Sequence, residues 1–277
     1  IAQVLIKKIM GFKIGWCPGG PLIQCDNSKN GIDALDKFRE AILEENIFNL
    51  RSKPYMEDTE KNQILFSKIP KSKNLFTSSK SNIINIVPKN DFLQQIKKKH
   101  RYYIKQSEKS KIDWRVCSGF DTARIFNIVY DEMKKTKKLK LPIINIDNFS
   151  KILGFTKDGE PRLFAFAGFE NDSPVSVCLV SLLDNKAFYH YAASTERGRD
   201  ISASYGMIFN LVEKLRDLSI DELDFGGLSN DGSSSGVDFF KQGFDGQGFL
   251  KIGEFDISKF KLCSYFFNKL LQIKKNF

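Results

Sequence analysis

The sequence is poor in the residues that build metal sites and disulfides. Its 277 residues include 2 histidines and 5 cysteines, and no two cysteines have a Cys-x-x-Cys spacing. This excludes the common zinc-site and redox motifs. Because the cysteines are odd in number and scattered, a disulfide scaffold is also excluded, and we expect buried thiols in a reducing compartment. The sequence therefore predicts no metal site.

Long apolar runs are lacking as well. No stretch reaches the roughly 18 apolar residues that span a bilayer, and no charged-then-apolar signal opens the chain. With 42% hydrophobic residues and 25 phenylalanines, the composition excludes a disordered protein and suits one large or two medium domains. The expectation is a soluble, cytoplasmic protein whose first element, opening at Ile1, is cut off.

Positive charge is concentrated in one segment. The chain has 43 Lys and Arg against 33 Asp and Glu, and residues 97–140 alone hold 14 basic and 5 acidic residues. A localised basic surface attracts polyanions such as nucleic acids, anionic lipid headgroups or a nucleotide-linked substrate. A solvated, lysine-rich face is the alternative interpretation. The candidate polyanion-binding residues are Lys97, Lys98, Lys99, Arg101 and Lys105.

Hydrophobic periodicity predicts alternating strands and helices. A strand is expected over 11–23, a helix over 32–46, a strand over 82–88 and one helix from Asn90 to about Ser110, whose apolar face includes His100 as a packed residue. Further along, the predicted order is three strands, a helix, a strand, a short helix and a strand. These elements are expected at 163–170, 175–183, 187–193, 203–218, 222–225, 237–242 and 249–255.

Three groups of residues occur in a characteristic order. They are Trp-Cys-Pro-Gly-Gly-Pro at 16–21, Lys-His-Arg-Tyr-Tyr-Ile-Lys-Gln-Ser-Glu-Lys at 99–109, and a late set of Tyr-His-Tyr-Ala-Ala-Ser at 189–194, Leu-Asp-Phe-Gly-Gly at 223–227 and Phe-Phe-Lys-Gln-Gly-Phe-Asp-Gly at 239–246. In order and spacing, residues 11–255 resemble the FemABX family of peptidoglycan-bridge aminoacyltransferases. The resemblance implies an α/β fold with mixed sheets and two GNAT-like domains. The first, incomplete at its N-terminus, would cover 1–88 and receive the tail 256–277, and the second would cover 89–255.

The resemblance also implies an activity. Family members move an amino acid from aminoacyl-tRNA to an amine of a nucleotide- or lipid-linked cell-envelope precursor, without cofactor or metal. The implied location is the cytoplasm at the inner face of the membrane, with an anionic membrane as a further contact. One alternative is an acyl-CoA-dependent N-acyltransferase acting on an amino sugar or surface glycan precursor. Another is a catalytically inactive module that binds RNA or membrane through its basic segment.

Lys241 is the candidate catalytic residue. In the family, the lysine of the Phe-Lys motif lies at the reaction centre, where its ammonium would stabilise the oxyanion of ester aminolysis. Packing of the lysine stem over Phe239 and Phe240 is the alternative. Glycine pairs allow close approach to a ligand, and alternation puts two tyrosines on one face of a strand, with His190 opposite as a structural residue. If the strand register were shifted by one, His190 would instead be the candidate general base. The candidate substrate-binding residues are Gly19, Gly20, Tyr189, Tyr191, Gly226, Gly227 and Phe240.

Two regions depart from related enzymes. At 197–204, Asp200 or Ser202 stands where CoA-dependent GNAT enzymes begin a glycine loop for pyrophosphate, which disfavours acyl-CoA. Residues 141–153 contain neither the Arg nor the Tyr that muropeptide-specific members use for substrate phosphate, so the resemblance does not extend to this phosphate site. No Ser-His-Asp or Cys-His arrangement can be read from the sequence, so we expect direct aminolysis without a covalent intermediate.

Overall fold

The chain forms two compact units in the computed structural model. One comprises Ile1–Lys80 with Phe249–Phe277, and the other comprises Ser81–Gly248. The residues that the structure describes are 1–9, 11–23, 28–72, 74–137, 159, 162–232, 235–260, 264–265 and 267–269. The segment 141–153, on which the expectation about the acceptor phosphate depended, lies outside them. In the described part of the chain, no helix is both long and apolar enough to cross a membrane.

Strands and helices alternate along the chain, which confirms the predicted α/β class. In chain order they are β1 (Leu5–Ile9), β2 (Phe12–Gly19), α1 (Ser28–Glu44), β3 (Asn49–Pro54), α2 (Glu60–Leu65), β4 (Lys80–Asn85), α3 (Lys89–Gln95), α4 (Lys98–Glu108), β5 (Asp113–Cys117), α5 (Phe120–Lys137), β6 (Leu163–Glu170), β7 (Ser173–Leu183), β8 (Lys186–Ser194), α6 (Glu196–Asp200), α7 (Ala203–Asp217), β9 (Glu222–Leu228), α8 (Ser235–Gln242), β10 (Gln247–Leu250) and β11 (Phe255–Ile257).

The first unit is built on a four-stranded sheet with the order β1-β2-β3-β11. β2 and β3 are parallel, and the other two pairs are antiparallel. The buried Arg51 of β3 lies fully enclosed, with its Nε and Nη2 each 3.0 Å from the Asp256 carboxylate of β11. Glu254 is 3.5 Å from Nη1, and the guanidinium lies 4.4 Å from the Phe76 ring centroid. This buried charge cluster joins the C-terminal strand to the first half of the chain.

The second unit is built on a seven-stranded sheet with the order β10-β4-β9-β8-β7-β6-β5. β6, β7 and β8 form an antiparallel meander, and β9 lies parallel to β8 after the helices α6 and α7. This confirms the predicted order of three antiparallel strands, a crossover helix and a fourth strand.

Side-chain alternation along the meander creates two apolar cores. Phe164 and Phe166 of β6 pack on one side with α7, which contributes Met207 and Leu211 among others; we call this the α7-side core. The intervening Ala165 and its neighbours pack on the other side with α5 residues; we call this the α5-side core. Strands buried on both faces explain why this region has nearly continuous apolar runs rather than strict alternation.

The single helix predicted from Asn90 to Ser110 is wrong, because two helices occupy this region. The chain is extended at Ile96 and Lys97, with ψ values of 133° and 144°, between α3 and α4. Ile96 is buried there, and the Lys97 N–H donates to the Gly243 carbonyl at 2.9 Å. Tertiary contacts therefore outweigh a continuous helical pattern.

The single strand predicted over 249–255 is also wrong. Phe249 and Leu250 end β10 of the seven-stranded sheet, Phe255 begins β11 of the four-stranded sheet, and residues 251–254 belong to neither strand. Gly253 lies between them with a φ of +112°. This backbone conformation interrupts a regular strand and suits glycine, because residues with a β-carbon rarely adopt it.

Candidate functional site

A gap opens in the sheet between β8 and β9. The two strands pair over only three residues each, from Lys186 with Glu222 to Phe188 with Asp224, although both strands continue beyond this point. Strand edges that do not pair with each other present backbone donors and acceptors to a ligand. This β8–β9 gap is therefore the place where the fold itself can hold an extended substrate.

Lys241 reaches the start of this gap from the last turn of α8. Its Nζ donates to the Gly227 carbonyl at 2.8 Å. A β-carbon built on Gly226 would lie 3.2 Å from that Nζ and 3.5 Å from the carbonyl oxygen of Tyr189, the first β8 residue beyond the paired segment. The structure therefore brings the predicted catalytic lysine to the strand edges of the gap.

The glycine pair of β9 shapes the same place. Gly226 has a φ of +83°, and its N–H donates to the buried Asp224 carboxylate at 2.8 Å. A side chain at position 226 would be strained and would press on the Lys241 ammonium. The structure thus places Lys241 beside Gly226 and Gly227. Position 226 requires glycine because of its positive φ and its closeness to the Lys241 ammonium.

Aromatic rings support the ammonium. The Phe225 ring centroid is 5.9 Å from the Lys241 Nζ, 4.8 Å from the Tyr189 ring and 5.7 Å from the Phe240 ring. Phe240 packs against the α7-side core. Burial raises the pKa of Tyr189 well above its ordinary value, so its phenol stays neutral and able to donate.

Tyr189 and Tyr191 do not share one face of β8, so that prediction is wrong. His190 and Tyr191 together face the single residue Leu179 of β7, which is a β-bulge. Tyr189 packs with the α7-side core, whereas Tyr191 is close enough to Tyr130 of the α5-side core to help raise the pKa of that phenol. The extra residue of the bulge reverses the alternation on which the prediction depended.

The structure also gives His190 polar neighbours that the sequence did not reveal. The Ser181 hydroxyl lies 2.7 Å from Nε2 of His190, and the Asp224 carboxylate acts on this imidazole electrostatically. Desolvation lowers the pKa of His190, and the Asp224 charge opposes that effect. A neutral imidazole of this kind can accept a proton. In the sequence, only the Asp-Phe-Gly-Gly motif pointed to Asp224, and no known motif places a serine at the spacing of Ser181 from His190.

Gly19 and Gly20 belong to the first unit, at the end of β2. The Gly20 carbonyl accepts from the Ser52 hydroxyl at 2.8 Å, and the Gly19 carbonyl accepts from the Tyr55 N–H at 3.4 Å. Gly19 has a φ of +72°. The glycines thus form a turn after β2 that is hydrogen-bonded to β3 and the residue that follows it, while their role in binding a substrate stays a prediction.

The predicted polyanion-binding residues lie on and beside α4. Lys97, Lys98 and Lys105 are exposed. Lys99 places its Nζ 5.1 Å from the Phe239 ring centroid, and Arg101 donates to the Leu93 and Gln94 carbonyls at the end of α3. Arg101 therefore has a structural bond, and the lysines supply the exposed charge of this face.

The residues before α7 form a helix, not the open loop that pyrophosphate binding needs. The N–H groups of Gly198 and Arg199 donate to the Thr195 side chain and carbonyl, and Ile201 donates to Arg197. The Gly198 position has no room for a β-carbon, which would lie 2.0 Å from the Val175 carbonyl oxygen. Among the described residues, no group of three or more His, Cys, Asp and Glu could hold a metal ion.

Comparison with known proteins agrees with this geometry. Residues 156–272 match the sequence model of the FemAB family, which confirms the resemblance over that range. The crystal structure of FemX matches with a TM-score of 0.78 and 16% identity, covering 96% of this chain and 86% of FemX. L-PGS from Bacillus licheniformis matches with a TM-score of 0.60 and 11% identity, covering 97% of this chain and 85% of L-PGS. The C-terminal domain (DUF2156) of a protein described as a lysylphosphatidylglycerol synthetase from Agrobacterium fabrum matches with a TM-score of 0.59 and 10% identity, covering 96% of this chain and 84% of that chain. At these identities the structures show a common fold. No curated protein matches the sequence.

Proposed function

We propose that this chain, whose residues 156–272 match the sequence model of the FemAB family, is a transferase that moves an amino acid from aminoacyl-tRNA to an amine of a peptidoglycan-type precursor. The observation that carries the proposal is the Lys241 ammonium at the strand edges of the β8–β9 gap. A fixed positive group at the place where negative charge develops stabilises the transition state of ester aminolysis.

The proposed reaction is direct aminolysis. The acceptor amine attacks the ester carbonyl carbon, a C–N bond forms, and negative charge develops on the carbonyl oxygen beside the Lys241 ammonium. The C–O bond to the tRNA ribose then breaks, the ribose oxygen takes a proton, and the amine nitrogen loses one. The neutral His190, bonded to Ser181, is a candidate to accept that proton. Tyr189 is a candidate to donate to the bound ester or acceptor.

Acyl-CoA is not expected to bind. The N–H groups of Gly198, Arg199 and Ile201, which could cradle a pyrophosphate, are bonded within α6 and its flanks, and the Asp200 carboxylate adds repulsion. Isothermal titration with acetyl-CoA should therefore show no binding at micromolar concentrations. A micromolar dissociation constant would contradict this expectation and favour the acyl-CoA-dependent N-acyltransferase.

The basic face of α4 is expected to bind the donor tRNA. Each phosphate neutralised by a lysine steepens the dependence of log K on log salt by about one unit. Replacing Lys97, Lys98 and Lys105 together with alanine should weaken tRNA binding and reduce this slope by up to about three. Fluorescence anisotropy between low and moderate salt measures both quantities.

The matched control for this experiment replaces Lys7 and Lys8, which are exposed on β1. We expect this control to change the salt slope little. A wild-type affinity that is flat with salt, or equal slopes for both variants, would show that α4 is only a solvated face.

Label transfer tests the proposed function directly. A pool of tRNA charged with radioactive amino acids is incubated with the protein and with a nucleotide-linked muropeptide, a lipid-linked muropeptide or vesicles containing phosphatidylglycerol. We expect label in a muropeptide with a free amine. Label in phosphatidylglycerol instead would assign the chain the lipid acceptor suggested by the name of the Agrobacterium fabrum protein. Label in none of them would reject aminoacyl transfer to these acceptors.

A further inference from the structure

His100 connects α4 to the segment that carries Lys241. The imidazole is fully buried, and its Nε2 lies 3.0 Å from the Phe240 carbonyl oxygen. Phe240 directly precedes Lys241, so this bond fixes the peptide group that joins the two residues. On the other side, the Asn82 side-chain amide donates to the Lys241 carbonyl at 2.9 Å. The backbone of Lys241 is thus held from both directions.

The bond determines the tautomer of His100. A carbonyl oxygen only accepts, so Nε2 must carry a proton, and in the neutral ring Nδ1 is then bare. Nδ1 is buried and has no hydrogen-bond partner in the structure. Desolvation lowers the pKa of His100, aided by the charges of Lys97 and Lys99, although its hydrogen bonds to backbone carbonyls oppose this shift. The ring is therefore neutral.

The ring is also enclosed with little space around it. The ring centroids of Phe239, Phe244 and Tyr205 lie 5.1, 5.2 and 5.0 Å from that of His100. A β-carbon on Gly243 would lie 1.9 Å from Nε2, so only glycine fits at the end of α8. An apolar side chain would fill such an aromatic cage without burying an unpaired nitrogen, whereas the imidazole leaves Nδ1 buried and without a hydrogen-bond partner, which costs stability. Unlike an apolar side chain, the imidazole can donate a hydrogen bond to the Phe240 carbonyl.

We infer that His100 is a positioning residue that sets the end of α8 so that the Lys241 ammonium meets the Gly227 carbonyl at the β8–β9 gap. The inference rests on the proposed function only for its effect on turnover, because the geometry concerns Lys241 whatever the substrate. It also makes α4, whose lysines are proposed to bind tRNA, the helix that holds the catalytic lysine in place.

The wild-type protein provides the first test. A long-range ¹H–¹⁵N NMR spectrum of the histidine rings identifies the tautomer, and His100→Gln identifies the signal. We expect neutral His100 with its proton on Nε2. A proton on Nδ1 would remove the bond to Phe240 and overturn the inference. This measurement requires no transferase activity.

The second test compares His100→Gln with His100→Leu. The Gln amide can donate to the Phe240 carbonyl as Nε2 does, whereas Leu fills space without a donor. We expect Leu to shift the Nζ NMR signal of Lys241, assigned through Lys241→Arg, and to lower kcat about 10- to 100-fold with little change in KM. The Gln variant should keep the Lys241 Nζ signal near its wild-type position and retain most of the wild-type kcat.

Three outcomes would overturn the inference: a Leu variant with an unchanged Lys241 signal, a Leu variant with wild-type kcat, or a Gln variant as impaired as Leu. The melting temperatures of both variants show whether packing alone explains a loss, because packing loss would lower stability without rescue by Gln. If the wild-type protein transfers no amino acid, the proposed function fails, while the tautomer and the Lys241 signal still decide the positioning role.

Discussion

Replacing Lys241 with alanine should lower the turnover number by about 10²–10³, the usual effect of removing one oxyanion donor. This corresponds to about 2.7–4 kcal/mol of transition-state stabilisation. The Michaelis constant should change much less, because the ammonium acts on charge that exists only in the transition state. Steady-state kinetics with aminoacyl-tRNA and a muropeptide acceptor measure both constants.

The control for this result is Lys241→Arg. The guanidinium keeps the charge but has a planar fork, so it should rescue poorly at a place shaped by Gly226 and Gly227. If the lysine only covers Phe225, the opposite pattern is expected, with near-normal turnover and a lower melting temperature. A stable Lys241→Ala protein with wild-type turnover would remove Lys241 from the mechanism.

Replacing Arg51 with methionine should destabilise the protein by about 3–5 kcal/mol, since it leaves the Asp256 and Glu254 carboxylates buried without their guanidinium partner. Urea unfolding followed by circular dichroism measures the loss. The matched control is Lys68→Met, which breaks the exposed pair with Asp36 and should cost less than about 1 kcal/mol. Equal losses would show that the buried cluster contributes no more than a surface pair.

The same cluster predicts an acid-dependent loss of stability. Burial alone would raise the pKa of Asp256, but its bonds with Arg51, Asn268 and Ser72 hold the pKa below the ordinary value. A carboxylate with a lowered folded-state pKa stabilises the protein above the unfolded value of about 3.9 and loses that contribution as the pH falls through the folded value. Urea midpoints of the wild-type protein should therefore drop on acidification below about pH 4, and less so in Arg51→Met.

The second unit could be predicted from the sequence because its pattern is local. The hairpin turns at 171–174 and 184–185 and the apolar stripe of α7 identify β6, β7, β8 and α7 without knowledge of distant contacts. The order of these elements then identifies the parallel strand β9. Motif order also located Lys241 beside Gly226 and Gly227, which the structure brings together.

What the sequence could not predict depends on contacts between distant residues. The bulge at His190 and Tyr191 arises from pairing with β7 and has no signal of its own in the sequence. The break at Ile96 follows from the contact of Lys97 with Gly243, almost 150 residues away. The contact of Ser181 with His190 likewise needs the register of two strands. Such features require the assembled sheet.

Intact mass measurement of the acceptor tests the central claim most directly. The protein is incubated with aminoacyl-tRNA as the sole donor and a muropeptide that has a free lysine side-chain amine, with the N-acetylated muropeptide as control. We predict that the free amine gains the mass of one aminoacyl residue and that the acetylated form gains none. An unchanged mass with aminoacyl-tRNA, together with an acyl mass gain when acetyl-CoA is supplied, would contradict the account.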